Sequence, residues 1–185
     1  MRLLVLVGML SPGILSAFSA AHADTLRATP GDRAAIEACL ELVRQNVEKE
    51  AEGPLEDEAA GPAGRLAAVA KQVATQAESC IGAVTIPCQQ EPGGFSTAGM
   101  VECNTREWAV WDELLNRVYN ESLKDAPQKL ATALRDTQRA WLQWREKNCG
   151  LSALENEGGT IIGPLHTACM LDATARQALS LEHRE

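Results

Sequence analysis

Six cysteines, Cys39, Cys80, Cys88, Cys103, Cys149 and Cys169, constrain this 185-residue chain more than any other feature. What they mean depends on the compartment, and the N-terminus reads as an export signal. Met1-Arg2 gives a short positive start, and Leu3 to Leu10 is an almost unbroken apolar run. Pro12 and Gly13 break it, and Ala21-His22-Ala23 supplies the small-x-small pattern at which a secretory signal peptide is cut. A membrane span needs roughly 20 apolar residues, more than this run offers. A buried N-terminal core helix is the weaker reading, because the cleavage pattern sits where a signal peptide places it. The mature chain is therefore expected to start at Asp24. No cysteine follows the apolar run, so no lipid anchor and no membrane attachment are expected after cleavage. An even number of cysteines in an exported chain reads as disulfides. Zinc would call for close pairs such as C-x-x-C, and there are none. The mature chain adds only His166 and His183. The expectation is three disulfides, with no metal and no cofactor.

Loss of Arg2 with the leader moves the formal net charge from −8 to −9. A chain this acidic lacks the basic face that phosphate backbones demand, so nucleic acid is not an expected partner. Acidity favours basic partners, although it commonly serves only solubility. At roughly 160 residues the mature chain can bury a core of its own, so the bridges reinforce a fold that apolar packing already favours.

Apolar residues recur at helical spacing. From Asp32, a plausible N-cap, Ile36, Leu40, Val43 and Val47 mark a first helix that Gly53-Pro54 stops. After an acidic connector closed by Gly61-Pro62, Leu66, Val69, Val73, Ala77 and Cys80 mark a second. So short a connector predicts antiparallel neighbours, with Cys39 and Cys80 at the same end. Ala83 to Ser96 contains Pro87, Pro92, Gly93 and Gly94 and reads as loop. Thr97 can cap a long third helix, whose inward face reads Met100, Cys103 (or Asn104), Trp108, Trp111, Leu115 and Val118. Pro127 opens a fourth, with Leu130, Leu134, Thr137, Trp141 and Trp144, ending at Cys149-Gly150. A fifth runs from about Pro164 to Leu181. No stretch alternates as a strand would. The expected fold is all-α with about five helices: a signal peptide over 1–23, a helical hairpin over 24–86 and a disulfide-stapled three-helix domain over 87–182.

The second half carries a recognisable pattern. It opens with Cys88, Met100-Val101-Glu102-Cys103 and Trp111-Asp112-x-x-Leu115-Asn116-x-x-Tyr119. It continues with Gln138-Arg139-Ala140-Trp141-x-x-Trp144-Arg145-x-x-x-Cys149 and Glu157-Gly158-Gly159-Thr160, then Cys169, Thr174 and Arg176. In this order and spacing it resembles the LprI-type, lysozyme-inhibitor-like domain of exported bacterial proteins, over roughly residues 88–182. The resemblance implies a small helical envelope domain with two internal disulfides, and loosely implies lysozyme inhibition. The first helical pair lies outside the pattern.

Read physically, the four tryptophans can pack across the third and fourth helices as core, or form an aromatic sugar platform; core is favoured because Leu and Met share their faces. Asn116, Tyr119, Gln138 and Arg145 read as a buried polar network rather than a ligand site. Glu155, Glu157, Gly158, Gly159 and Thr160 read first as a plain connector. Alternatively they form a protruding acidic loop, held rigid at its base, that suits a basic cleft. Either Gly158 or Gly159 is expected at positive φ. No nucleophile with a base in reach, no phosphate loop and no metal motif appears, so no catalytic residue is assigned. Sequential bridges are expected, Cys39–Cys80, Cys88–Cys103 and Cys149–Cys169, although Cys80 and Cys88 lie close enough to exchange partners. The functional expectation is an envelope binding protein directed at a basic lysozyme-type hydrolase. The alternative is a structural or stress-related periplasmic binding module with another partner. Oligomeric state is not legible.

Overall fold

The computed structural model describes residues 28–51, 61–156 and 158–182. The leader read from the sequence, and Glu157 and His183, lie outside them. Six α-helices and one 3-10 turn account for the secondary structure among the described residues, and there is no strand.

Helix α1 (Pro30–Ala51) starts on a reciprocal cap. The Thr29 hydroxyl accepts from the Asp32 backbone N–H at 3.1 Å, and the Asp32 carboxylate accepts from the Thr29 N–H at 2.8 Å. This is a capping box with aspartate in the usual glutamate place. Thr29, not Asp32, is thus the capping residue, and Pro30 takes the first helical position, where its missing N–H costs nothing. The buried Asp32 also receives Arg106 of a later helix through two nitrogens, at 2.6 and 3.2 Å. Burial pushes this carboxyl up, but the hydrogen bonds from Arg106 and Thr29 outweigh it and hold Asp32 below its ordinary value. Ile36, Leu40, Val43 and Val47 are all buried, as their spacing predicts.

Helix α2 (Gly61–Ala77) runs into a 3-10 turn at Glu78–Cys80. Ala77 and Cys80 are buried and Val69 and Val73 pack against the core, but Leu66 is exposed, so the inward face starts a turn later than its apolar pattern suggests. The Cys39–Cys80 bridge then joins α1 to the end of this segment.

A short helix, α3 (Thr85–Gln90), occupies part of the stretch read as loop. Pro87 does not break it, because a first-turn residue needs no intrahelical N–H partner. Cys88 on α3 is bridged to Cys103 on α4 (Thr97–Lys124). The cap of α4 is Ser96 rather than Thr97: its hydroxyl accepts from the Gly99 N–H at 3.0 Å. The chain folds back tightly here, and a side chain at Gly94 or Gly99 would run into neighbouring backbone.

Helices α5 (Gln128–Glu155) and α6 (Ile162–Glu182) complete the bundle. Near the start of α4, Asn104 donates to Pro164 O and to Thr167 Oγ1 near the start of α6, each at 3.1 Å, so these two helices run in the same direction. α5 returns between them in sequence and runs opposite to α6: Cys149, late in α5, is bridged to Cys169, and Gln177, late in α6, donates to Gln138. Ala175 and Ala178, both fully buried, allow the close approach that makes α4 and α6 the most extensive helix pair. One apolar cluster unites Ile36 and Val47 of α1 with Trp111 and Leu115 of α4 and Leu171 and Leu179 of α6. No described helix is long and apolar enough to cross a membrane.

Candidate functional site

The expected acidic loop is the α5–α6 connection, and the structure extends its first arm. α5 does not stop at Cys149-Gly150 but continues to Glu155. Ser152, Ala153, Leu154 and Glu155 all tolerate a helix, and a single Gly150 costs only about 1 kcal/mol against alanine. Termination comes at Asn156, whose side chain donates to Ser152 O at 3.0 Å, and at Gly158, whose φ is +73°. Of the two glycines it is therefore Gly158 that needs the left-handed region. Gly159 N–H closes the turn on Asn156 O at 2.9 Å. Thr160 lies in the turn, with α6 beginning two residues later.

Glu155, Gly158, Gly159 and Thr160 are all exposed. Leu154 beside them is 74 % exposed, and Leu151, Ile161 and Leu165 are also solvent-facing. Two ties brace the base of this tip. One is the Cys149–Cys169 bridge; the other runs from His166 Nδ1–H, which donates to Cys149 O at 3.2 Å. The result is an acidic turn rimmed by aliphatic side chains and fixed to the bundle below it. Among the described residues no group of three or more His, Cys, Asp or Glu side chains could hold a metal ion.

The tryptophans divide into three environments. Trp111 is fully buried, as a core residue should be. Trp108 and Trp141 are half-buried and enclose the Arg145 guanidinium, which lies 5.6 and 5.0 Å from their ring centroids. Such cation–π contacts strengthen where water is excluded. Arg145 also donates to Thr174 Oγ1 at 2.9 Å, so it links α4, α5 and α6. Trp144, by contrast, is 53 % exposed, which corrects its assignment to the core. The expected polar network divides in the same way. Gln138 and Arg145 are buried and turn to α6, whereas Asn116 is exposed and donates to Asp112.

Among the described residues, the most completely enclosed charged side chain, Glu107, was not singled out from the sequence. Glu107, with no exposed surface, accepts from the N–H groups of Gly82, Val84 and Thr85 at 2.6, 3.0 and 2.7 Å, and from the Trp111 indole N–H at 3.1 Å. It thereby fixes the 81–85 turn and the start of α3 against α4. The available signal was its position: Glu107 falls four residues after Cys103 and four before Trp111, in the middle of the inward stripe.

The model of the family described as lysozyme inhibitor LprI matches residues 88–181, just over half of the chain. The match begins at Cys88, takes in α4, α5 and the braced tip, and ends one residue short of the end of α6. No curated protein and no solved structure matches the chain.

Proposed function

The chain belongs to the lysozyme inhibitor LprI family, and from that premise we propose that it is an exported envelope protein that binds a basic lysozyme-type hydrolase and blocks its cleft. Its three disulfides and its family fit a periplasmic or extracellular location. Blocking, not catalysis, is its role in this reading.

The observation that carries the proposal is the braced α5–α6 tip. Fixing the loop before binding removes an ordering cost that a free loop would carry. Leu154 and Ile161 supply apolar surface that is exposed at rest and can be desolvated by a partner. Glu155, with Glu157 two residues on in sequence, supplies negative charge at the approach. The net negative charge adds a long-range attraction to a basic partner.

These contributions separate kinetically. Rim charge mainly governs association, whereas desolvated contacts govern dissociation. In surface-binding kinetics with a basic lysozyme, Glu155→Lys is expected to slow association about tenfold at low salt, with less effect as screening shortens the field to about 8 Å at physiological ionic strength. Leu154→Ser should instead speed dissociation. Both side chains are exposed, so neither change should unfold the protein. If both variants associate and dissociate as the wild type does, the tip is not the blocking element.

A further inference from the structure

The half-exposed Trp144 belongs to a surface groove that the inhibitor reading does not use. About 360 Å³ in volume, it runs between α5 and α6 on the outer face of the bundle. On one wall, Trp141, Trp144 and Asn148 follow one another at helical spacings of three and four, so they share a face of α5. On the other, Asp172 and Arg176 stand one turn apart, with Gln177 beside them. Ala173 and Cys169 of α6 also line it.

Arg176 is held in place. Its Nε donates to both Asp172 oxygens, at 3.1 and 2.9 Å, and its Nη1 donates to Glu78 in the 3-10 turn that follows α2. Beyond Arg176 the surface dips again into a second groove of about 480 Å³, walled by Lys71, Thr75 and Glu78 from the α2 side. Arg176 and Ser180 line both grooves, so the two adjoin as a two-part trench across α6 with the tied Arg176 between them.

An exposed indole beside fixed planar polar groups selects for an amphipathic ligand. A purely apolar chain would strip water from the amide, carboxylate and guanidinium groups without replacing its hydrogen bonds. A polyanion such as nucleic acid would meet Asp172 and Glu78. A pyranose ring matches both demands: one C–H face can lie on the indole, while its hydroxyl and acetamido groups can reach donors and acceptors such as Asn148, Gln177 and Asp172. Two adjoining hollows, of about 360 and 480 Å³, suit linked rings better than a single one.

We propose that this trench binds a glycan strand of N-acetylated amino sugars, with the Trp144 indole as its stacking platform. Cys169 of the bracing bridge lines the groove, but none of the exposed residues of the α5–α6 tip does, and the assignment does not depend on the inhibitor reading.

The test uses the full-length mature protein and a hexamer of β-1,4-linked N-acetylglucosamine as probe. Calorimetry and tryptophan emission should both report saturable binding. Trp144→Ala should weaken it about tenfold or more, the loss of one stacking contact worth roughly a factor of ten. Trp144→Phe should retain part of it. Thermal melting should show Trp144→Ala folded, and its inhibition of a lysozyme-type hydrolase on a soluble substrate in excess should match the wild type. An absence of hexamer binding at millimolar concentration would overturn the proposal, and so would unchanged binding by Trp144→Ala. If Trp144→Ala instead loses hydrolase inhibition and the wild type ignores the hexamer, the indole is a protein contact and the glycan assignment is wrong. The hexamer measurements read the trench, and the inhibition measurement reads the tip, so either assignment can fail alone.

Discussion

Glu107→Gln is expected to destabilise the fold by about 3–5 kcal/mol, because charge-assisted hydrogen bonds worth about 1.5–3 kcal/mol are weakened and a buried donor is left unpaired at a further cost of about 1–3 kcal/mol. The substitution barely changes volume, so packing is not the cause. Four donors converge on the two carboxylate oxygens: three backbone N–H groups and the Trp111 indole. Glutamine replaces one acceptor oxygen with an NH2 group, which must face at least one of these donors. That donor is then buried without an acceptor, and the penalty for an unsatisfied buried group is about 1–3 kcal/mol before any strain from the repelled amide. Because those donors belong to the 81–85 turn and the start of α3, the segment joining the first two helices to α4 should loosen first. For a chain of this size about 1 kcal/mol shifts the midpoint by 2–4 °C, so a fall of roughly 6–20 °C in thermal melting is expected. A shift below about 3 °C would mean that the buried carboxylate is not what holds the turn.

Trp111→Ala should cost a similar amount, about 3–5 kcal/mol, for a different reason. The indole is fully buried in the apolar cluster shared by α1, α4 and α6, and its removal leaves a void that rigid neighbours fill only in part. Trp111→Phe separates the two contributions: it keeps most of the bulk and removes only the N–H that reaches Glu107, so about 1–2 kcal/mol is expected. Trp144→Ala, on the exposed face, should change stability by less than about 1 kcal/mol. Urea unfolding of the three variants checks the ordering. Trp111 and Glu107 share a hydrogen bond, so their effects will not add, and the double variant should fall short of the sum. Equal losses for Trp111→Ala and Trp144→Ala would contradict the division of the tryptophans into core and surface.

Residues whose role follows from period were legible in the sequence. Ile36, Leu40, Val43 and Val47 lie on one helical stripe, and each is buried. The same logic misled at Leu66, because a stripe shows which face is apolar but not where along it the neighbouring helix begins. The extension of α5 past Gly150 was hidden because one glycine weakens a helix without ending it. Helix α3 was hidden by Pro87, whose cost disappears in a first turn. Asp32 was seen as a cap, but its reciprocal partner Thr29 and its remote partner Arg106 depend on tertiary geometry.

The site was legible in a similar measure. Glycines beside acids marked the α5–α6 turn, and Gly158 takes the positive φ that only such a residue adopts without strain. The aliphatic rim was not foreseen, since Leu154 was read as lying past the end of its helix. Trp144 was misassigned because Trp141 and Trp144 both follow the apolar period of α5. The period does not show where the stripe leaves the interface: Trp141 packs against the core, whereas Trp144, three residues on, is 53 % exposed. Glu107 was passed over because a carboxylate in an inward stripe is costly unless donors surround it, and the donors come from a segment some 22 to 25 residues earlier in the chain.

The most direct test of the central claim is the rate at which a basic lysozyme-type hydrolase cleaves a soluble oligosaccharide, supplied in large excess over both proteins. Excess substrate saturates the trench, so capture of the sugar cannot imitate inhibition. As the mature protein is added at low ionic strength, the rate should fall towards zero near equimolar protein, and more protein should be needed at physiological ionic strength. A rate that stays unchanged at a large molar excess in low salt would contradict the inhibitor reading.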